Sequence, residues 1–154
     1  MDEKLMALID TAIRREEDAY AFYLDLHKRA ADPAVKDTLE YIAAEEKKHR
    51  AFLVKYRDGD FDTQSLRLSD VTYYKIAEYQ QEPEITENMS SAEVYLVASH
   101  RELRSNKFYT ELANLHAHSD ARSMLLKMAN EELKHKEKME YLYSNAAFPQ
   151  TSGG

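Results

Sequence analysis

The sequence predicts an all-α protein, a bundle of four helices arranged as two antiparallel hairpins joined by a long crossover. Three observations carry that prediction. The 154 residues are 44% apolar and 32% charged with three glycines and three prolines, a helix-rich composition. Apolar residues recur at spacings of three and four over four long stretches, the signature of helices with one buried face. The two halves also repeat one another in an ungapped register of 86 positions.

In the first stretch, from Glu3 to about Ala30, Leu5, Leu8, Ile9, Ala12, Ile13, Ala19, Tyr20, Tyr23 and Leu26 fall on one helical face. Asp32 followed by Pro33 supplies an N-cap and a first-turn proline, so a second helix starts there and runs to about Tyr56, where Arg57-Asp58-Gly59-Asp60 stops it. So short a linker makes the two helices antiparallel neighbours. Residues 58–89 are more polar and form the crossover, with a short helix expected over Val71 to Tyr79 behind a Ser69-Asp70 cap. Ser90 with Glu93 is a capping box that opens a third helix lasting to about His116. Ser119 and Asp120 cap a fourth that runs to about Tyr143. One domain over residues 1–145 and a flexible tail over 146–154 complete the expected organisation.

Composition excludes several kinds of function. Without cysteine there are no disulfides, thiolate metal sites, iron–sulfur clusters or thiol catalysis. A net charge of −7 without a basic stripe argues against nucleic acid or an anionic membrane as partner. The N-terminal stretch lacks the long apolar run of a signal peptide, and nowhere is there a membrane-spanning run, so a cytoplasmic location is expected.

The matches between the halves collect around polar residues. Arg15 pairs with Arg101, Glu16 with Glu102, Phe22-Tyr23 with Phe108-Tyr109, Glu45-Glu46 with Glu131-Glu132, and His49 with His135. Glu46 and His49, like Glu132 and His135, lie one turn apart on a single helical face. Glu16 and Glu102 fall in the middle of core-facing apolar stripes. Several buried carboxylates are untenable unless cations or protons neutralise them, and two divalent metals would supply the charge. Helical bundles hold paired metals with a glutamate from each of two helices and a Glu-x-x-His from each of the other two, the set present here. Glu16, Glu46, His49, Glu102, Glu132 and His135 are therefore the candidate metal ligands. Tyr23 and Tyr109, nearly two turns beyond Glu16 and Glu102, are candidates to hydrogen-bond the ligand carboxylates. The repeat register selects Glu16 over Glu17, because position 103 is leucine, and the histidine spacing selects Glu46 and Glu132 over Glu45 and Glu131. A lone Glu-x-x-His would carry little weight; two in register, each with a Glu-x5-Phe-Tyr partner helix, carry much more. His27, His100, His116 and His118 lack these partners and are expected at the surface or at helix ends. Most of the eleven tyrosines, Tyr73, Tyr74, Tyr141 and Tyr143 among them, are expected to pack with a wet tip.

Through Glu16-x5-Phe22-Tyr23, Glu45-Glu46-Lys47-Lys48-His49, Glu102-x5-Phe108-Tyr109 and Glu131-Glu132-Leu133-Lys134-His135, the sequence resembles the ferritin-like superfamily and its rubrerythrin branch over about residues 5–143. The resemblance implies two iron ions inside the bundle, with manganese or zinc as substitutes, and reduction of hydrogen peroxide or dioxygen. The four-cysteine rubredoxin-like module of many rubrerythrins is missing, so an external electron-donor protein such as a rubredoxin is expected. Rubrerythrins also commonly carry a further glutamate one turn after the third-helix ligand. Ser105 stands there instead, which implies a plainer, more symmetrical six-ligand centre. Ferrous iron oxidation for storage or delivery and a metal-free structural bundle are the alternative readings. A homodimer is expected, since the long crossover would let helix pairs exchange between chains.

Overall fold

The helices begin where the caps place them. In the computed structural model, which describes residues 3–59, 71–115 and 120–148 (120 and 121 by backbone alone), α1 spans Glu3–Arg29 and α2 spans Pro33–Arg57. The amide of Ala34 donates to Asp32 Oδ1 at 2.9 Å, so the expected N-cap is formed ahead of the first-turn proline. The chain next forms the one-turn helix α3 (Ile76–Tyr79), then α4 (Ser91–Asn114) and α5 (Asp120–Ala147). At the start of α4 the capping box is complete: Glu93 N donates to Ser90 Oγ, and Ser90 N donates to Glu93 Oε1, both at 3.2 Å. Helices α1 and α2 pack as one hairpin, and α4 and α5 as the other. An isolated parallel bridge between Ala30 and Met89 ties the α1–α2 turn to the entry of the second hairpin.

Three boundaries differ from expectation. The crossover helix begins at Ile76 rather than Val71, because its first amides are capped from far away in the chain. Ile76 N and Ala77 N donate to Glu140 Oε2 of α5 at 2.5 and 2.8 Å, and Lys75 enters the turn in the left-handed region at φ 56°. Helix α4 closes at Asn114, and α5 continues one turn beyond Tyr143, taking Ala146 and Ala147 out of the expected tail. The Ser69-Asp70 and Ser119 caps, the side chain of Asp120, His116, His118 and tail residues 149–154 lie outside the described residues.

The core comes in two apolar layers. One contains Ala19, Tyr23, Leu26, Leu39, Ile42, Val94, Val97 and Met139. The other contains Ile9, Ile13, Leu53, Tyr56, Tyr109, Leu112, Met124 and Met128. Each of the four long helices contributes to both layers, and each carries one or two buried polar residues in the gap: Glu16 on α1, Glu46 and His49 on α2, Glu102 on α4, Glu132 and His135 on α5. Burying a leucine or isoleucine side chain is worth roughly 1.5–3 kcal/mol. The two layers therefore clamp a polar slab at mid-bundle and hold it away from water. Among the described residues no helix is long and apolar enough to cross a membrane.

Candidate metal centre

The polar slab brings together all six residues that the sequence singled out as ligands. Each is at most 6% exposed. Their donor atoms form two groups, each with all its atoms within 4.8 Å of one another: Glu16, Glu46, His49 and Glu132, and Glu46, Glu102, Glu132 and His135. Glu46 and Glu132 belong to both. The imidazoles of His49 and His135 stack with ring centres 5.6 Å apart and planes 13° from parallel, so the repeat in sequence becomes an approximate two-fold in space.

The same symmetry governs what surrounds the glutamates. Tyr23 Oη of α1 donates to Glu102 Oε1 of α4, and Tyr109 Oη of α4 donates to Glu16 Oε1 of α1, each at 2.5 Å. Each tyrosine thus serves the glutamate of the opposite repeat rather than the one on its own helix. Arg15 stacks over Phe108 at 4.0 Å and Arg101 over Phe22 at 4.9 Å, cation–π contacts that lock the two repeats together. The repeat register pairs these arginines in sequence, but their role against the opposite repeat's phenylalanine emerges only from the packing.

Whether cations fit is tested by the atoms left over. Glu16 Oε2, Glu46 Oε1, Glu102 Oε2, Glu132 Oε2 and His135 Nδ1 are buried without a hydrogen-bond partner. Nδ1 of His135 lies 3.0 Å from Glu46 Oε1, but without the alignment of a hydrogen bond. Buried polar atoms are nearly always paired, so orphans on residues gathered into these two donor groups call for positive charge among them. Glu16 and Glu102 present their free Oε2 while a tyrosine occupies Oε1. The mixture of carboxylate oxygen and imidazole nitrogen suits iron, manganese or zinc. The donor set fits a pair of divalent ions.

Without cations the slab must hold protons. Burial pushes the carboxyl of Glu16 well above the usual range, and neighbouring Glu46 pushes it further. Burial and Glu102 raise Glu46 to about 8, and burial with the surrounding carboxylates raises Glu132 well up. Glu102 differs: burial raises it, but neighbouring Glu132 and His135 and the hydroxyl of Tyr23 outweigh this and hold it below its ordinary value. Burial lowers His49, whereas Glu102 holds His135 above the usual imidazole value against the same burial. Ligand atoms must be deprotonated to bind a metal, so ion binding here would be coupled to proton release.

The neighbouring candidates settle outside the slab. Glu17 is exposed and pairs with Arg50 at 2.8 Å; Glu45 pairs with Lys48 at 3.5 Å, and Glu131 with Lys134 at 2.8 Å. Glu131 Oε2 also lies 3.9 Å from His49 Nε2, on the side of the ring away from the slab. His27 meets Glu40 at 2.8 Å on the surface, as expected of it. His100 does not follow that expectation: it lies mid-helix, half-buried, with Nε2 enclosed, because the packed flank of α4 extends beyond its core-facing stripe. Tyr73, Tyr74 and Tyr141 are more exposed than packing residues with a wet tip would be, whereas Tyr143 packs against the core.

Comparison with known proteins bears on the fold and the lineage. A solved structure described as a hypothetical protein from Pyrococcus furiosus is similar to this chain at a TM-score of 0.65 and 21% identity, covering 96% of this chain and 92% of that one. None of the curated proteins matches. Residues 7–143 match the rubrerythrin family, a span that includes all four long helices' contributions to the slab. Since that match covers most of the sequence and the structure is the corresponding all-α bundle, the chain belongs to the rubrerythrin family of the ferritin-like superfamily.

Proposed function

We propose that the protein is a di-iron oxidoreductase that reduces hydrogen peroxide or dioxygen with electrons from an external donor protein. The observation that carries this reading is the sharing of Glu46 and Glu132 by both donor groups, the arrangement required for two carboxylates to bridge adjacent ions. A pair of irons held there would supply the two electrons and the Lewis acidity that peroxide reduction needs.

The chain's own residues do the rest. Glu16 with His49 and Glu102 with His135 would hold the two ends of the pair, each set offering one imidazole nitrogen. Tyr109 and Tyr23 fix one oxygen of Glu16 and of Glu102 and leave the other free to turn inward. Burial raises both phenols well above their usual value, so the hydroxyls stay protonated and remain donors. The apolar layers keep bulk water out and strengthen electrostatic interactions in the slab. Electrons would reach the site from a separate donor protein such as a rubredoxin.

The test is iron content after anaerobic reconstitution with ferrous iron, followed by stopped-flow oxidation. Two irons per chain with faster oxidation by peroxide than by dioxygen supports the reading. Two irons with dioxygen preferred would point to an oxidase or to ferrous iron handling. Absence of bound iron, with an unchanged melting temperature on iron addition, would leave a structural bundle.

A further inference from the structure

The two halves of the slab are alike, but their outer flanks are not. A hollow of about 240 Å³ opens between α1 and α2, lined by Glu16, Glu17, Tyr20, Lys47 and Arg50. Glu16 reaches it from inside, 2% exposed and with Oε2 unpartnered. At the rim, Arg50 Nε donates to Glu17 Oε1 at 2.8 Å, and beyond that pair lies a second, shallower hollow that shares Glu17 and Arg50. Lys47 stands 6.0 Å over the ring of Tyr20.

The repeat register identifies the equivalent places on the other flank. Glu17 becomes Leu103, Tyr20 becomes Asn106, Lys47 becomes Leu133 and Arg50 becomes Lys136. Glu17, Lys47 and Arg50 are exposed, whereas Leu103 and Leu133 are half-buried and Lys136 is 2% exposed. Asn106 is tied across to the carbonyl of Ala129 at 2.8 Å. Lys136 is clamped between Glu140 at 2.7 Å and Glu78 of α3 at 2.8 Å, so the crossover lies over this flank and covers it. Arg104 of α4 pairs with Glu82 of the crossover at 2.7 Å and extends the cover.

We propose that, of these two flanks, the α1–α2 side is the entrance to the carboxylate–histidine centre, with the Arg50–Glu17 pair as its gate, and that it admits a small neutral or singly charged anionic molecule. The hollow of about 240 Å³ has room for a small molecule, the volume of roughly eight waters at about 30 Å³ each. Lys47 and Arg50 at the mouth face Glu17 and Glu16, so the lining is close to balanced in charge and favours no multiply charged ion of either sign. Among the described residues Arg50 is held by an exposed ion pair, worth little and easily opened, and the sealed flank offers no comparable loose element there, because Lys136 is buried between two carboxylates. This inference rests on the di-iron reading above and adds the direction of approach and the class of visitor.

The experiment uses azide as probe, its binding to the iron-loaded, oxidised protein followed by stopped-flow absorption, with iron content measured for every variant. Glu17→Ala and Arg50→Ala, each of which breaks the gate pair, should keep two irons per chain and speed azide binding severalfold. Lys47→Leu, which installs the residue of the sealed flank and removes a cation from the mouth, should slow it. Leu103→Ala, which loosens the sealed flank, should leave the rate within twofold. Parental rates in both gate variants, or a faster rate in Leu103→Ala, would place the entrance elsewhere. A parent protein that takes up no iron would instead remove the centre itself, and with it the reason for an entrance.

Discussion

The paired tyrosines offer the sharpest test of how the slab is held. Tyr23 and Tyr109 are both buried and each donates at 2.5 Å to a buried carboxylate, so geometry alone predicts that Tyr23→Phe and Tyr109→Phe behave alike. Charge predicts otherwise for the metal-free protein. The acceptor of Tyr23 is Glu102, held below its ordinary value and so kept ionised, whereas the acceptor of Tyr109 is Glu16, pushed well up by burial and so drawn toward its neutral form. A hydrogen bond to a charged group contributes about 1.5–3 kcal/mol and a neutral one about 0.5–1.5 kcal/mol. Tyr23→Phe should therefore destabilise the metal-free protein by roughly 1 kcal/mol more than Tyr109→Phe, a difference of about 2–4 °C in melting temperature for a chain of this size. In the metal-loaded protein both glutamates are ionised and the asymmetry should vanish. Each variant should then bind one of the two ions about tenfold to a hundredfold more weakly. Calorimetry without metal and anaerobic cobalt(II) titration read the two halves of this prediction. Equal melting temperatures for the two metal-free variants would refute the charge assignment, and parental affinity for both ions in both variants would refute the role of the hydroxyls.

Other outcomes follow from the same structure. Glu46→Ala or Glu132→Ala should abolish binding of both ions, because both donor groups use these residues, whereas Glu16→Ala should spare the ion on the Glu102–His135 side; metal stoichiometry distinguishes them. Glu46 has a folded-state pKa of about 8 against 4.5 for the free carboxyl, so the folded state holds its proton more tightly. Its contribution to the stability of the metal-free protein is fully present below pH 4.5 and is lost as the pH rises through 8, which urea unfolding across that range should show, with the metal-loaded protein free of this loss. Glu140→Ala should cost about 1.5–3 kcal/mol by removing one of the two carboxylates that hold buried Lys136, and should raise the hydrogen-exchange rates of the Ile76 and Ala77 amides; unchanged exchange there would show that Glu140 does not hold the crossover. In the apolar layers, Leu39→Ala should cost about 2–5 kcal/mol in chemical unfolding.

The sequence alone determined the four long helices, because capping pairs such as Asp32-Pro33 and Ser90-Glu93 and the spacing of apolar residues act within a turn or two of the chain. It also determined which polar residues share the slab. An 86-residue register in which Glu16 meets Glu102 while Glu17 meets Leu103 distinguishes an inward carboxylate from its solvated neighbour before any coordinates exist. Periodicity fixes the direction of a side chain on its own helix but leaves open what stands opposite, and there the tertiary structure decided. Only packing placed Tyr23 against Glu102 and Tyr109 against Glu16, each in the other repeat. Only packing brought Glu140 across more than sixty residues of chain to start α3 at Ile76, where local propensity suggested Val71. The unequal flanks have the same origin. Arg50 and Lys136 are matching cations in sequence, yet one lies open at the mouth of a hollow and the other is buried beneath the crossover, because a connecting segment can cover only the hairpin against which it packs.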